Sequence, residues 1–150
     1  MKKLEIDSVK VLQVYIPERV TFVDLPLFLE SVSAGFPSPA DDYLEGKLDL
    51  NDFLISNPAA TFLVRVTGDS MIDSGIYSGD LLIVDRSIHP KDSNIVIAVI
   101  NGELTVKRLR YTKNKLYLYP ENQNYEPIEI TQEMNFEVWG VVKTVVHSLV

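Results

Sequence analysis

The sequence predicts a mostly β fold: a compact antiparallel β domain with short helices, after an extended N-terminal arm. Beyond Ala60, apolar residues recur at every second position and are rich in β-branched types, which suits half-buried strands. Turn-forming residues punctuate these runs at short intervals, and prolines and small residues break any helical stripe before residue 40.

The elements follow in order. From Val9 to Val23 the apolar residues show no helical stripe, and Pro17 and Pro26 interrupt the region, so it reads as an extended arm with strand-like pieces that leans on the rest. Ser31-Val32-Ser33-Ala34-Gly35-Phe36-Pro37-Ser38-Pro39 combines glycine, two prolines and small polar residues, the composition of an exposed, protease-accessible linker. From Asp41 to Ser56, aspartates precede apolar residues at three- and four-residue spacing (Leu44 and Leu48, then Leu50, Phe53 and Leu54). This predicts one or two short helices ended by Asn57-Pro58. Six strands are predicted next: Thr61 to Thr67, Asp80 to Asp85, Asn94 to Ile100, Glu103 to Tyr111, Lys115 to Tyr119 and Phe136 to His147. Asn101-Gly102, a dipeptide that tolerates two positive φ angles, predicts a tight hairpin of fixed register. The organisation is therefore arm (1–34), linker and short helices (35–60) and β-rich domain (61–150), with no internal repeat.

Composition narrows the chemistry. The absence of cysteine removes disulfides, thiolate metal sites and thiol nucleophiles, and suits a reducing cytoplasm, so a nucleophile must be an oxygen. A formal net charge of −7, from 14 Lys and Arg against 21 Asp and Glu, has the wrong sign for a chain whose task is to neutralise phosphates. Direct sequence-specific nucleic-acid binding is not expected. No run reaches the ~18 apolar residues of a membrane span, and Met1 to Lys10 is no signal peptide, so a soluble protein is expected. His89 and His147 have neither metal-ligand nor triad spacing and read as surface or strand residues. Asp69, Asp80 and Asp85 lie at strand ends, where aspartate satisfies turn backbone, and no metal site is expected from them.

One constellation can do chemistry. Gly68-Asp69-Ser70-Met71 follows an apolar strand, and Gly68 allows a sharp turn that presents the Ser70 hydroxyl. Serine needs a neighbouring base, and with no histidine suitably spaced a lysine remains. In Glu103 to Tyr111 alternation puts Thr105, Lys107, Leu109 and Tyr111 on one face and Arg108 and Arg110 on the other, so Lys107 sits among apolar neighbours. Burial penalises an ammonium and can make a lysine a general base near neutral pH. The alternative is a turn-capping Ser70 and a Lys107 that merely lays its stem along a strand edge. Met71 and Ile72 read as core, with a partner-facing patch as the alternative.

Gly68-Asp69-Ser70-Met71, Gly79-Asp80-Leu81-Leu82-Ile83-Val84-Asp85, Val106-Lys107-Arg108 and Tyr119-Pro120-Glu121-Asn122, taken in order, resemble the LexA/UmuD self-cleaving serine peptidase family, the S24 type. Ala34-Gly35-Phe36-Pro37-Ser38-Pro39-Ala40-Asp41-Asp42-Tyr43 extends the resemblance to its UmuD branch, accessory subunits of an error-prone translesion DNA polymerase, and residues 33–145 are covered. The resemblance implies the β fold of that family's C-terminal domain, Ser70 as nucleophile, Lys107 as its base, cleavage between Ala34 and Gly35, and no cofactor. Backbone N–H groups of Ser70 and Met71 are the expected oxyanion donors. It also implies a homodimer acting in the SOS response to DNA damage, with a RecA-type filament on single-stranded DNA as activator and a Y-family, UmuC-like polymerase as partner. The departure is the arm, Met1 to Ser33, which is longer than in typical UmuD proteins.

Competing readings are a LexA-like self-cleaving transcriptional regulator, for which an arm carrying Pro17 and Pro26 offers no helix-turn-helix, and a non-catalytic interaction module. A signal peptidase would need a membrane anchor. The valines at 141, 142, 145 and 146 suit either a dimer contact or a buried central strand.

Overall fold

Nearly all the regular structure is antiparallel sheet, as the period-two pattern requires. The computed structural model describes residues 10–15, 24–28 and 44–150, the first two stretches and 44–47 by backbone alone. Two units are formed, and each has its own sheet.

The smaller unit pairs β2 (Asp24–Phe28) with β3 (Leu44–Asp49), followed by the single-turn helix α1 (Leu50–Leu54). Asp49 caps that helix, its carboxylate accepting from the Asn51 N–H at 2.8 Å. One expectation is corrected here. Residues 44–49 form a strand instead of a first helix, because Glu45, Lys47 and Asp49 alternate with Leu44, Gly46 and Leu48, and Gly46 disfavours a helix interior. Pro26 lies within β2; a two-stranded sheet has only edge strands, where a missing N–H is tolerated.

The larger unit is an eight-stranded antiparallel sheet. Its strands are β1 (Lys10–Tyr15), β4 (Thr61–Thr67), β5 (Leu81–Asp85), β6 (Ile95–Ile100), β7 (Glu103–Thr112), β8 (Lys115–Tyr119), β9 (Ile128–Ile130) and β10 (Phe136–Val146), in the spatial order β1-β4-β5-β10-β6-β7-β8-β9. Six of these agree with the sequence reading to within a residue at each end. β9 went unread, because three residues are too few to display a period.

Asn101 and Gly102 have φ of 49° and 84° and join Ile100 to Glu103 in direct register, the twisted two-residue turn expected. Lys113 and Asn114, at φ 49° and 62°, make a second such turn between β7 and β8 without a glycine.

Two apolar clusters stabilise the unit. One gathers Phe62, Val64, Val66, Met71, Leu82 and Val84 with Ile97 and Val106. The other gathers Val96, Ala98 and Ile100 with Leu109, Leu118 and Val141. Successive residues of β6 feed different clusters, so both of its faces are covered, which explains why Ile95 to Ile100 is apolar without alternation.

β10 lies between β5 and β6, with Val141 buried and Val142 and Val145 packed against the first cluster. Its valines are thus used largely inside the sheet. Close approach to β5 also fixes Gly140, where a Cβ would lie 2.7 Å from Val84 Cγ1 and 3.1 Å from the Asp85 carbonyl oxygen.

Candidate active site

Lys107 is set by two ladders. It stands in β7, opposite Val96 of β6, and β8 pairs with β7 from the next residue onward. Alternation then places Thr105, Lys107 and Leu109 on one face of the strand, and all three are buried. The arginines of the opposite face are half-buried and held elsewhere: Arg108 bonds the Glu121 carboxylate and, at 2.6 Å, the Ser93 carbonyl, and Arg110 bonds the Ser93 hydroxyl at 2.6 Å.

Ser70 reaches the same place from outside any strand. β4 ends at Thr67, Gly68 follows at φ 98°, a conformation costly for residues bearing a Cβ, and the chain turns through Asp69 and Ser70 into a 3₁₀ turn at Ile72–Ser74. Met71 is fully buried in the first cluster, as expected of core, and Ile72 is half-buried.

A distant loop clasps the segment. The Glu121 N–H donates to the Ser70 carbonyl at 2.8 Å, and the Asp73 N–H donates to the Glu121 carbonyl at 2.8 Å. The Asn122 amide donates to the Asp69 carbonyl at 2.9 Å, and the Tyr125 hydroxyl donates to the Asp69 carboxylate. Neither Ser70 nor Met71 uses its N–H in a backbone hydrogen bond among the described residues.

The two side chains meet. Lys107 Nζ lies 3.3 Å from Ser70 Oγ, 2.8 Å from Thr105 Oγ1 and 3.0 Å from the Val106 carbonyl oxygen. Ser70 and Lys107 each have 0% of their surface exposed. The residues Ala34 and Gly35 lie outside the described ones.

The arrangement is that of a hydroxyl beside a buried amine, with two N–H groups at the same turn. A family model for Peptidase S24-like proteins matches residues 26–143. The chain belongs to this peptidase family. Protein SamA of Salmonella typhimurium is 49% identical over 123 residues, which cover 82% of this chain and 85% of SamA. Protein MucA of Escherichia coli is 41% identical over 127 residues, 84% of either chain. The LexA repressor of Xylella fastidiosa is 41% identical over 113 residues, 75% of this chain but 53% of the repressor. This S24 peptidase is of the UmuD-like kind, a self-cleaving serine peptidase of SOS mutagenesis.

The remaining candidates fall where turn chemistry puts them. Asp80 accepts from the Tyr77 N–H at 2.7 Å and Asp85 from the Ser87 N–H at 2.7 Å and hydroxyl at 2.5 Å. For Asp85, desolvation pulls its pKa upward. The two Ser87 hydrogen bonds, Asn57 and the charge of Lys143 together outweigh this and hold the carboxyl below its usual value. His89 is exposed as expected, but His147 Nδ1 lies 2.5 Å from the buried Asp80 carboxylate, a contact 67 positions apart that no spacing rule announces. Among the described residues no helix is long and apolar enough to cross a membrane.

The sequence reading missed the roles of Thr105, Asn122 and Tyr125. Thr105 had its signal, since it shares the inward face of β7 with Lys107 at the next inward position. For Asn122 the motif around Pro120 marked the place without its purpose.

Proposed function

We propose that Ser70 and Lys107 form the nucleophile–base pair of this peptidase, acting on the chain's own Ala34–Gly35 bond. What carries the reading is the buried Lys107 amine 3.3 Å from the Ser70 hydroxyl oxygen. Enclosure of the whole side chain opposes a charged ammonium. A neutral amine has two N–H donors and one lone pair. Donation to Thr105 Oγ1 and the Val106 carbonyl uses both N–H groups and turns the lone pair toward the Ser70 O–H.

The amine then takes the hydroxyl proton as Ser70 Oγ adds to the Ala34 carbonyl carbon. The resulting oxyanion accepts from the Ser70 and Met71 N–H groups, donors of a kind that contributes about 2.7–4 kcal/mol each to a transition state. Collapse breaks the C–N bond, and the Gly35 nitrogen leaves with the proton carried by Lys107. Water, deprotonated by the same amine, hydrolyses the Ser70 ester and frees the Ala34 carboxylate.

The products are an arm of residues 1–34 and a processed chain beginning at Gly35, in which 35–60 is the linker with its short elements and 61–150 the catalytic domain. The processed chain works in the cytoplasm as a homodimer, the accessory subunit of a Y-family translesion polymerase. Cleavage is stimulated by a RecA-type filament on single-stranded DNA. Support for this comes from SamA and MucA, which match at 49% and 41% identity over 85% and 84% of their own lengths.

Intact mass followed over time tests the reading. Wild type should lose residues 1–34 faster as pH rises toward 10, because the ammonium form cannot act as base, while Ser70→Ala stays whole. A wild-type chain that remains intact at pH 10, with and without the filament, would refute it.

A further inference from the structure

One rim of the large sheet is a strand taken from the arm. Among the described residues β1 is the outermost strand, and its one pairing is with β4. Val11 stands opposite Val66 and Val14 opposite Val64, while Lys10, Gln13 and Tyr15 stand opposite Thr67, Arg65 and Leu63. Val64 and Val66 belong to the first core cluster and are 0% and 1% exposed, whereas Leu63, Arg65 and Thr67 are half-buried.

The two valines of β1 thus occupy register positions of the buried face, and Lys10 and Gln13 those of the polar face. The valines are three positions apart, and strict alternation would send them to opposite faces. A bulge between Val11 and Gln13 takes up Leu12 and restores the match. A register kept in phase by an inserted irregularity indicates a specific pairing.

We propose that the β4 edge is a strand-addition site for an extended peptide of this apolar–polar pattern, with the chain's own residues 10–15 as its resident occupant. That occupant stays bound after the chain is cut between Ala34 and Gly35. Only the position of the cut rests on the function proposed above. Cleavage severs the tether and leaves the ladder intact, so binding passes from an intramolecular event, at effectively millimolar local concentration, to a bimolecular one. Loss of the arm then becomes a second step, governed by dilution or by competition. Once vacated, β4 presents unpaired N–H and C=O groups beside Val64 and Val66, an edge suited to capturing another extended segment.

The test uses the full chain carrying Ser70→Ala and a recognition sequence for an external protease inserted between residues 30 and 34. It is folded first and cut afterwards, so the outcome does not depend on whether the chain cuts itself. Loaded concentrated, the two pieces should co-elute in size exclusion, and they should separate on dilution. Hydrogen exchange at residues 61–67 should quicken as they part and slow again on adding a synthetic peptide of residues 8–17. The same peptide with Val11→Asp and Val14→Asp should bind at least ~10-fold more weakly, since charge would enter the apolar face, while Gln13→Glu should bind as the parent does. The proposal is overturned if the pieces separate at every concentration and the peptide leaves 61–67 unprotected, or if the double aspartate peptide binds equally well.

Discussion

The amine and the hydroxyl of this site are held by opposite means. Lys107 belongs to a ten-residue strand with neighbours on both sides, and its inward direction follows from the alternation of residues next to it in sequence. Ser70 lies in irregular chain after Gly68, and its position depends on Glu121, Asn122 and Tyr125, more than fifty residues away. An amine embedded in a ladder is robust to change beyond its own strand. A hydroxyl on a clasped turn is only as well placed as the clasp.

The largest expected effect tests whether both halves are needed. Ser70→Ala and the similarly shaped Lys107→Met should each lower self-cleavage by at least ~10⁴-fold, the usual cost of removing a member of a nucleophile–base pair, while circular dichroism shows the sheet retained. Cleavage persisting in either would dissolve the pairing.

Next comes the clasp. Asn122→Ala removes the amide bond to the Asp69 carbonyl and should slow cleavage by ~10²-fold, as misplacement of a reacting group by about an ångström does. Cleavage at the wild-type rate would mean that the turn holds itself. Within the ladder, Thr105→Val removes one acceptor from the amine and should slow cleavage by only ~10-fold, since one neutral hydrogen bond of ~0.5–1.5 kcal/mol is lost. A drop as deep as that of Asn122→Ala would show that the ladder alone does not aim the lysine.

The smallest effect lies away from the site. Asp85, with its pKa lowered mainly by Ser87 against its own desolvation, contributes stability that is present above the unfolded-state pKa of ~3.9 and lost as pH falls through the lower folded value. Asp85→Asn should cost about 1–3 kcal/mol at pH 7 and flatten the acid limb of the stability curve, with cleavage unchanged. Urea titrations at pH 7 and pH 3 measure it.

What was legible in the sequence follows the same division. The hairpin at Asn101-Gly102, the strands flanking it and the inward face of Lys107 are set by residues within ten positions of one another, and period and turn chemistry reveal them. The clasp on Ser70, the Asp80–His147 contact and the pairing of β1 with β4 join residues about fifty or more positions apart, for which composition has no signature. Between these lies the segment 44–49, where helical spacing and strand alternation were both present, and Gly46 inclined the chain to the strand.

Because the Ser70 hydroxyl has no exposed surface, passing proteins do not encounter it. With Ser70 as the proposed nucleophile, a cell can therefore hold many copies of such a peptidase beside its other proteins at little risk to them.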